Sequence, residues 1–178
     1  KNCITKEAAA EVVKKYFEIP ATYNLSNARL YEAYQFPQQR VWSINWDKED
    51  DSKGEYGSIY ARVDAVTSEL LSYNMYDDER YNKDFKQKYD VSEAQKKAEA
   101  FLKDIQLERF AMAQLEEPQD KVEEPEKARE HCFNYIRLVE GIPFADNGFY
   151  ICIDAVSGDV INFKMKWQER QFPSPDGV

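Results

Sequence analysis

The residues best equipped for chemistry in this sequence are a single histidine, His131, with Cys132 beside it; an acidic run, Asp47-Lys48-Glu49-Asp50-Asp51-Ser52-Lys53-Gly54-Glu55; and two aspartates, Asp64 and Asp154, in near-identical surroundings. A nucleophilic Cys–His pair needs both side chains within one hydrogen bond. His131 and Cys132 are adjacent in a strand-like run, which sends them to opposite faces. One histidine also rules out a multi-histidine metal site or a His-pair mechanism. The acidic run offers the oxygen ligands that calcium takes. Its spacing misses the EF-hand, which needs glycine directly after the third ligand, where Ser52 stands. It is read as a solvated hairpin loop, with calcium binding at 47–55 left open. Asp64 and Asp154 each end a strand before a polar turn, where a carboxylate accepts backbone N–H groups, so both are assigned a structural role. No phosphate-cradling G-x-x-x-x-G-K, no G-x-S-x-G and no H-E-x-x-H occurs. No catalytic residue, metal or cofactor is expected.

One further stretch stands out by its apolar character. Gly141, Ile142, Pro143, Phe144, Asp146 and Asn147 form a turn-like segment with large apolar residues where polar ones are the rule. Two readings stay open: an apolar lip that contacts a protein partner, or a loop folded over the core or against the other half of the chain.

The elements that position these residues come in two copies. Ser58–Asn74 and Gly148–Lys164 align at a constant offset: Tyr60 with Tyr150, Asp64 with Asp154, Ala65 with Ala155, Val66 with Val156. Each copy reads as a β-hairpin with a polar turn, Thr67-Ser68 or Ser157-Gly158. Ile59, Ala61 and Val63 alternate onto one face, as do Phe149, Ile151 and Ile153, so a sheet covered on that face is expected. A strand precedes each hairpin, Val41–Trp46 and Cys132–Leu138, with Trp42 and Ile44 matched to Phe133 and Tyr135. A helix opens each copy. Thr5 caps the first, and Asp90 with Glu93 three residues later forms a capping box on the second. Ala9, Val12, Val13, Tyr16 and Phe17, then Ala94, Ala98, Phe101, Leu102 and Ile105, fall at helical spacing.

The expected fold is therefore α+β: two tandem α-β-β-β repeats, each a helix packed on an antiparallel three-stranded sheet. Residues 1–76 form the first repeat, 77–89 a linker, 90–168 the second repeat and 169–178 a frayed tail. The connectors Glu18–Arg40 and Gln106–His131 are of a length that usually carries local structure or function, and the charged run Glu116–Glu130 in the second is read as a solvated surface excursion.

Composition narrows the function classes. A hydrophobic fraction of 43% supports a folded core. A net charge of -9 with no basic run excludes nucleic acid and argues against an anionic membrane surface. No apolar stretch approaches the length of a membrane span, and no secretory apolar region is visible at the start. Cys132 and Cys152 are read as small core residues in apolar strand runs; a bridge between them is left open.

The paired turns Val63-Asp64-Ala65-Val66-Thr67-Ser68-Glu69-Leu70 and Ile153-Asp154-Ala155-Val156-Ser157-Gly158-Asp159-Val160 resemble the PepSY superfamily. With Gly141–Gly148 and Trp42-Ser43-Ile44-Asn45-Trp46, the chain from Ile4 to Trp167 resembles the YcdB/YcdC-type repeat of bacterial envelope and secreted proteins. Copy one departs from the pattern at Ser68, where glycine is usual, and in its loop Asp47–Gly57. The resemblance implies an extracellular or cell-envelope location. It also implies a non-catalytic protein-interaction module whose partner is a protein such as a secreted peptidase that it inhibits or regulates. No catalytic residue comes with it. The alternatives are a structural spacer in a larger surface protein and, behind it, an uncharacterised hydrolase.

Overall fold

The computed structural model describes residues 2–34, 36, 38–48, 54–81, 84–118 and 121–169. In chain order the elements are α1 (Lys6–Tyr16), β1 (Tyr23–Glu32), β2 (Arg40–Lys48), β3 (Gly57–Asp64), β4 (Leu70–Asp77), α2 (Val91–Ala111), β5 (Ala113–Leu115), β6 (Glu130–Val139), β7 (Ile142–Asp154) and β8 (Val160–Lys166). The order is α-β-β-β-β, used twice. The expectation of three strands per copy is corrected to four, because the connector Glu18–Arg40 contains β1 and Gln106–His131 contains β5.

The strands do not form two sheets. They form one antiparallel eight-stranded sheet in the order β1-β2-β3-β4-β8-β7-β6-β5. The last strand of each copy meets the other at the centre, over Ser72–Asn74 and Asn162–Lys164. Tyr73 lies opposite Phe163, its own counterpart in the repeat, and Ser72 lies opposite Lys164, the counterpart of Asn74. That is the register a two-fold axis through Tyr73 and Phe163 would produce, the isologous contact of a symmetric dimer. Here it joins two halves of one chain and removes a sheet edge from each.

Both helices cover one face. Thr5 Oγ1 accepts from the Ala8 N–H at 3.1 Å. Asp90 and Glu93 exchange the two bonds of a capping box. The buried stripe Ala9, Val13 and Phe17 is repeated by Ala94, Ala98 and Leu102, one residue per turn on one side of each helix. Phe17 stacks on Tyr73 at 3.6 Å, and Phe101 meets Phe163 edge-on at 5.4 Å, so both helices pack over the central seam. Beneath them Ile59, Ala61 and Val63 are buried, as are Phe149, Ile151 and Ile153, in keeping with the alternation read from the sequence. Helix α2 leaves helical geometry at Gln106, directly after the apolar stripe ends at Ile105. No described helix is long and apolar enough to cross a membrane.

Candidate functional site

The two turn aspartates occupy the same backbone trap. Asp64 Oδ1 accepts from the Val66 and Thr67 N–H groups at 2.8 and 2.9 Å. Asp154 Oδ1 accepts from Val156 and Ser157 at 2.7 and 2.9 Å. Main-chain bonds Ser68→Asp64 and Gly158→Asp154 close the turns, and Ile4→Ala65 and Tyr89→Ala155 tie each to the approach of its helix. The turns end in left-handed backbone at Ser68 (φ 63°) and Gly158 (φ 77°), a region that costs any residue but glycine.

The second carboxylate oxygens differ. Asp64 Oδ2 accepts from the Gln39 amide at 3.0 Å. Asp154 Oδ2 is gripped by Arg80 at 2.6 Å and Arg129 at 3.3 Å, with all three side chains largely buried. Arg80 comes from the segment between the copies, so the linker is pinned to copy two. At Asp154 burial opposes the charge, but the Ser157 and Val156 N–H groups and the two guanidiniums outweigh it and hold the carboxyl below the usual carboxylate range. At Asp64 burial is outweighed by Thr67, Gln39 and Val66, with the same direction. A carboxylate committed in this way is a structural anion. It has no proton to exchange near neutrality.

His131 is also committed to the scaffold. Its Nε2 lies 3.1 Å from the Tyr89 carbonyl, which can only accept, so Nε2 carries the proton. Trp42 Nε1–H donates to the Ile4 carbonyl at 2.9 Å. Ile4 and Tyr89 each precede a helix N-cap, so His131 is the counterpart of Trp42. The strand registers agree: Trp42 lies opposite Val63, and His131 opposite Ile153. The match of Trp42 and Ile44 with Phe133 and Tyr135 is thereby corrected by two residues; Ile44 corresponds to Phe133 and Trp46 to Tyr135.

Cys132 and Cys152 sit opposite each other on β6 and β7 and form a disulfide. Cys132 is exposed, which corrects its reading as a core residue. The Glu130 carboxylate lies within 4.8 Å of both sulfurs, but a disulfide sulfur is not the thiolate that binds a metal. In the acidic run, Asp47 belongs to β2, and Glu55 pairs with Lys48 at 3.7 Å. Glu49–Lys53, on which the calcium question turns, lie outside the described residues.

The apolar segment is not a loop. Glu140 and Gly141, both at positive φ, make a two-residue hairpin turn, and Ile142–Asp154 is strand β7. Ile142 is 69% exposed at its start. Between the pairs Arg137↔Phe144 and Ile136↔Gly148 the strand bulges by three residues, Ala145, Asp146 and Asn147. Asn147 cannot face a partner, because it is buried. Its Nδ2 donates to the Gln168 carbonyl at 3.0 Å and its Oδ1 accepts from the Gln168 N–H at 2.8 Å, extending the ladder beyond β8. Gly141, Ile142, Pro143 and Asp146 remain on the surface.

What sequence reasoning missed is the sheet's second face, which carries no helix among the described residues. Tyr60, Tyr76 and Tyr150 stand exposed on it, and Tyr76 stacks on Tyr81 at 5.5 Å. Tyr60 and Tyr150 lie at equivalent places in the two copies. The sequence signal was the alternation itself, since every second residue of a half-covered strand must face away from the helices.

Among known proteins, a family model described as "YcdB, YcdC repeated domain" matches residues 6–167. Among solved structures, the chain is similar to the Bacillus megaterium YpeB C-terminal domain, with a TM-score of 0.64 and 16% identity over 98% of this chain and 71% of that one. At that identity the likeness shows the fold alone. A search of curated proteins returned no match.

Proposed function

We propose, from the premise that this chain belongs to the YcdB/YcdC repeated-domain family, that it is a non-catalytic protein-interaction module of a secreted or cell-envelope protein, and that it regulates a peptidase. The observation that carries the reading is the face of the sheet that no described helix covers. An eight-stranded sheet whose described helices α1 and α2 lie on one side exposes a broad surface on the other. That surface bears tyrosines, a residue type that dominates binding hot spots because a large ring is immobilised at low entropic cost. Asp64, Asp154 and His131, the groups best equipped for chemistry, are bonded into turns and helix approaches. The PepSY-like turns, Val63–Leu70 and Ile153–Val160, support the assignment to a regulatory module.

The test is a titration of the chain against a thermolysin-like secreted peptidase, following residual activity and the integrity of the chain together. Saturable loss of activity with the chain uncleaved is the expected result. Full activity at saturating chain, or digestion of the chain, overturns peptidase regulation and leaves the structural spacer as the better account.

A further inference from the structure

The seam between the copies pairs over three residues on each side, and beyond both ends β4 and β8 part. A cleft opens at each end. At the end next to Met75 and Val160 it is about 320 Å³, and its ionisable lining includes the carboxylates Glu18 and Asp159 but no lysine or arginine. At the end next to Leu71 and Met165 it is about 340 Å³ and is lined by Arg62, Arg109, Lys164 and Lys166 against one carboxylate, Glu69. The pseudo-two-fold relates Met75 and Asp159 of the first cleft to Met165 and Glu69 of the second, but the cations belong to the second alone. The counterparts of Arg62, Lys164 and Lys166 in the other copy are Cys152, Asn74 and Tyr76, none of them cationic.

Scaffold bonds do not absorb this positive charge. Arg109 is neutralised by Glu69 at 3.1 Å and Glu169 at 3.0 Å. Arg62 spends only its Nε, on Ser72 Oγ at 2.9 Å. Lys164 and Lys166 are exposed, and among the described residues neither they nor Arg62 forms an ion pair. Three cations without an ionic partner among the described residues line one cleft of a chain whose net charge is -9. Like charges so placed repel one another, and an anion between them relieves that repulsion. Tyr31, Tyr34 and Trp167 give the same cleft aromatic walls.

We infer that this cleft is the docking site for an acidic, extended peptide segment of the partner. The inference rests on the interaction-module reading above and names the chemistry of its contact. Lys164 and Lys166 are alternate residues of one strand, roughly 7 Å apart along it. An extended peptide with carboxylates at every second position repeats at the same step, so both lysines are met at once while Arg62 takes a third carboxylate in the forked geometry that guanidinium favours.

The test is a fluorescence-anisotropy titration of the whole chain with a labelled peptide of alternating Glu and Thr. A Lys–Thr peptide serves as the opposite-charge control and linear polyphosphate as the competing polyanion. Expected are saturable binding of the Glu–Thr peptide, weakening with salt, and a loss of affinity on the order of tenfold in Lys164→Glu/Lys166→Glu. The same charge change on the exposed side of α2, Lys96→Glu/Lys103→Glu, is expected to stay within about twofold, being screened by distance. No saturable binding, equal binding by both double variants, or binding of polyphosphate but not of the peptide overturns the assignment. Peptidase inhibition measured on the same variants separates the two claims. Inhibition undiminished by Lys164→Glu/Lys166→Glu removes the cleft and leaves the module; no inhibition by the unmodified chain removes the module itself.

Discussion

The turn after β3 and the turn after β7 are drawn with the same backbone bonds, yet they are braced by very different partners. Asp64 leans on a neutral amide, Gln39. Asp154 closes a buried cluster with Arg80 and Arg129. Copy one tolerates Ser68 in left-handed backbone, where copy two has Gly158. Copy one sets Ser43 opposite Arg62 where copy two has the disulfide Cys132–Cys152. At the far end of the sheet the copies exchange chemistry again. Copy one buries Lys48 among Asp77, Glu79 and Glu55, with the Tyr23 hydroxyl donating to Asp77 at 2.6 Å, whereas copy two lays Arg137 over Trp167 at 4.8 Å. Repetition has fixed the bonds that the backbone requires. The side chains that brace them differ, and at the seam they differ in charge.

The comparison can be broken at its strongest point first. Asp154→Asn keeps the two turn bonds but leaves two buried guanidiniums without an anion, and is expected to cost about 3–5 kcal/mol. Asp64→Asn loses a charge that has no ionic partner among the described residues and is expected to cost about 1–2 kcal/mol. Urea denaturation of the two variants measures both, and equal costs would erase the asymmetry. Next in size is the disulfide. Its cysteines are 20 residues apart, and a loop of that length is worth about 3 kcal/mol, so Cys132→Ser/Cys152→Ser should lower the melting temperature by several degrees. A smaller effect, with opposite signs in the two copies, is expected at the left-handed positions. Gly158→Ala forces a side chain into positive φ and onto the Tyr89 ring, 2.9 Å from the new Cβ, and should lose about 2 kcal/mol. Ser68→Gly relieves strain and should gain about 0.5–1 kcal/mol.

The last prediction concerns acid. The carboxyl of Asp154 is depressed in the folded chain, so its contribution is complete above the unfolded value of 3.8 and is lost as pH falls through the lower folded value. Melting temperature should therefore fall more steeply below about pH 4 in the unmodified chain than in Asp154→Asn, which has already lost the contribution. Parallel curves would show that the ion cluster is not what anchors the turn.

What the sequence disclosed and what it hid follow from the same physics. Hairpins, caps and helix stripes were legible because local bonds and strict periods write them into adjacent residues, as in Asp64 to Leu70 and Ala9 to Phe17. Strand β1 was hidden because it is an edge strand with few buried positions, so no alternation marks it. Strand β5 is three residues long. Aromatic likeness drew Trp42 to Phe133, and only the strand register reveals that a histidine does the tryptophan's work. The cationic cleft was out of reach for a different reason. Arg62, Lys164 and Lys166 come from β3 and β8, and nothing joins those strands until the seam does.

Two turns with the same backbone bonds but unequal anchors, Gln39 in one and Arg80 with Arg129 in the other, should open at different free energies. Native-state hydrogen exchange at four amides tests it most directly: Val66 and Thr67 in one turn, Val156 and Ser157 in the other. The copy-two pair is expected to open at higher free energy than the copy-one pair, and the difference to shrink in Arg80→Gln, where Arg129 alone remains on Asp154. Equal protection in the unmodified chain, or slower exchange at Val66 and Thr67, would contradict it.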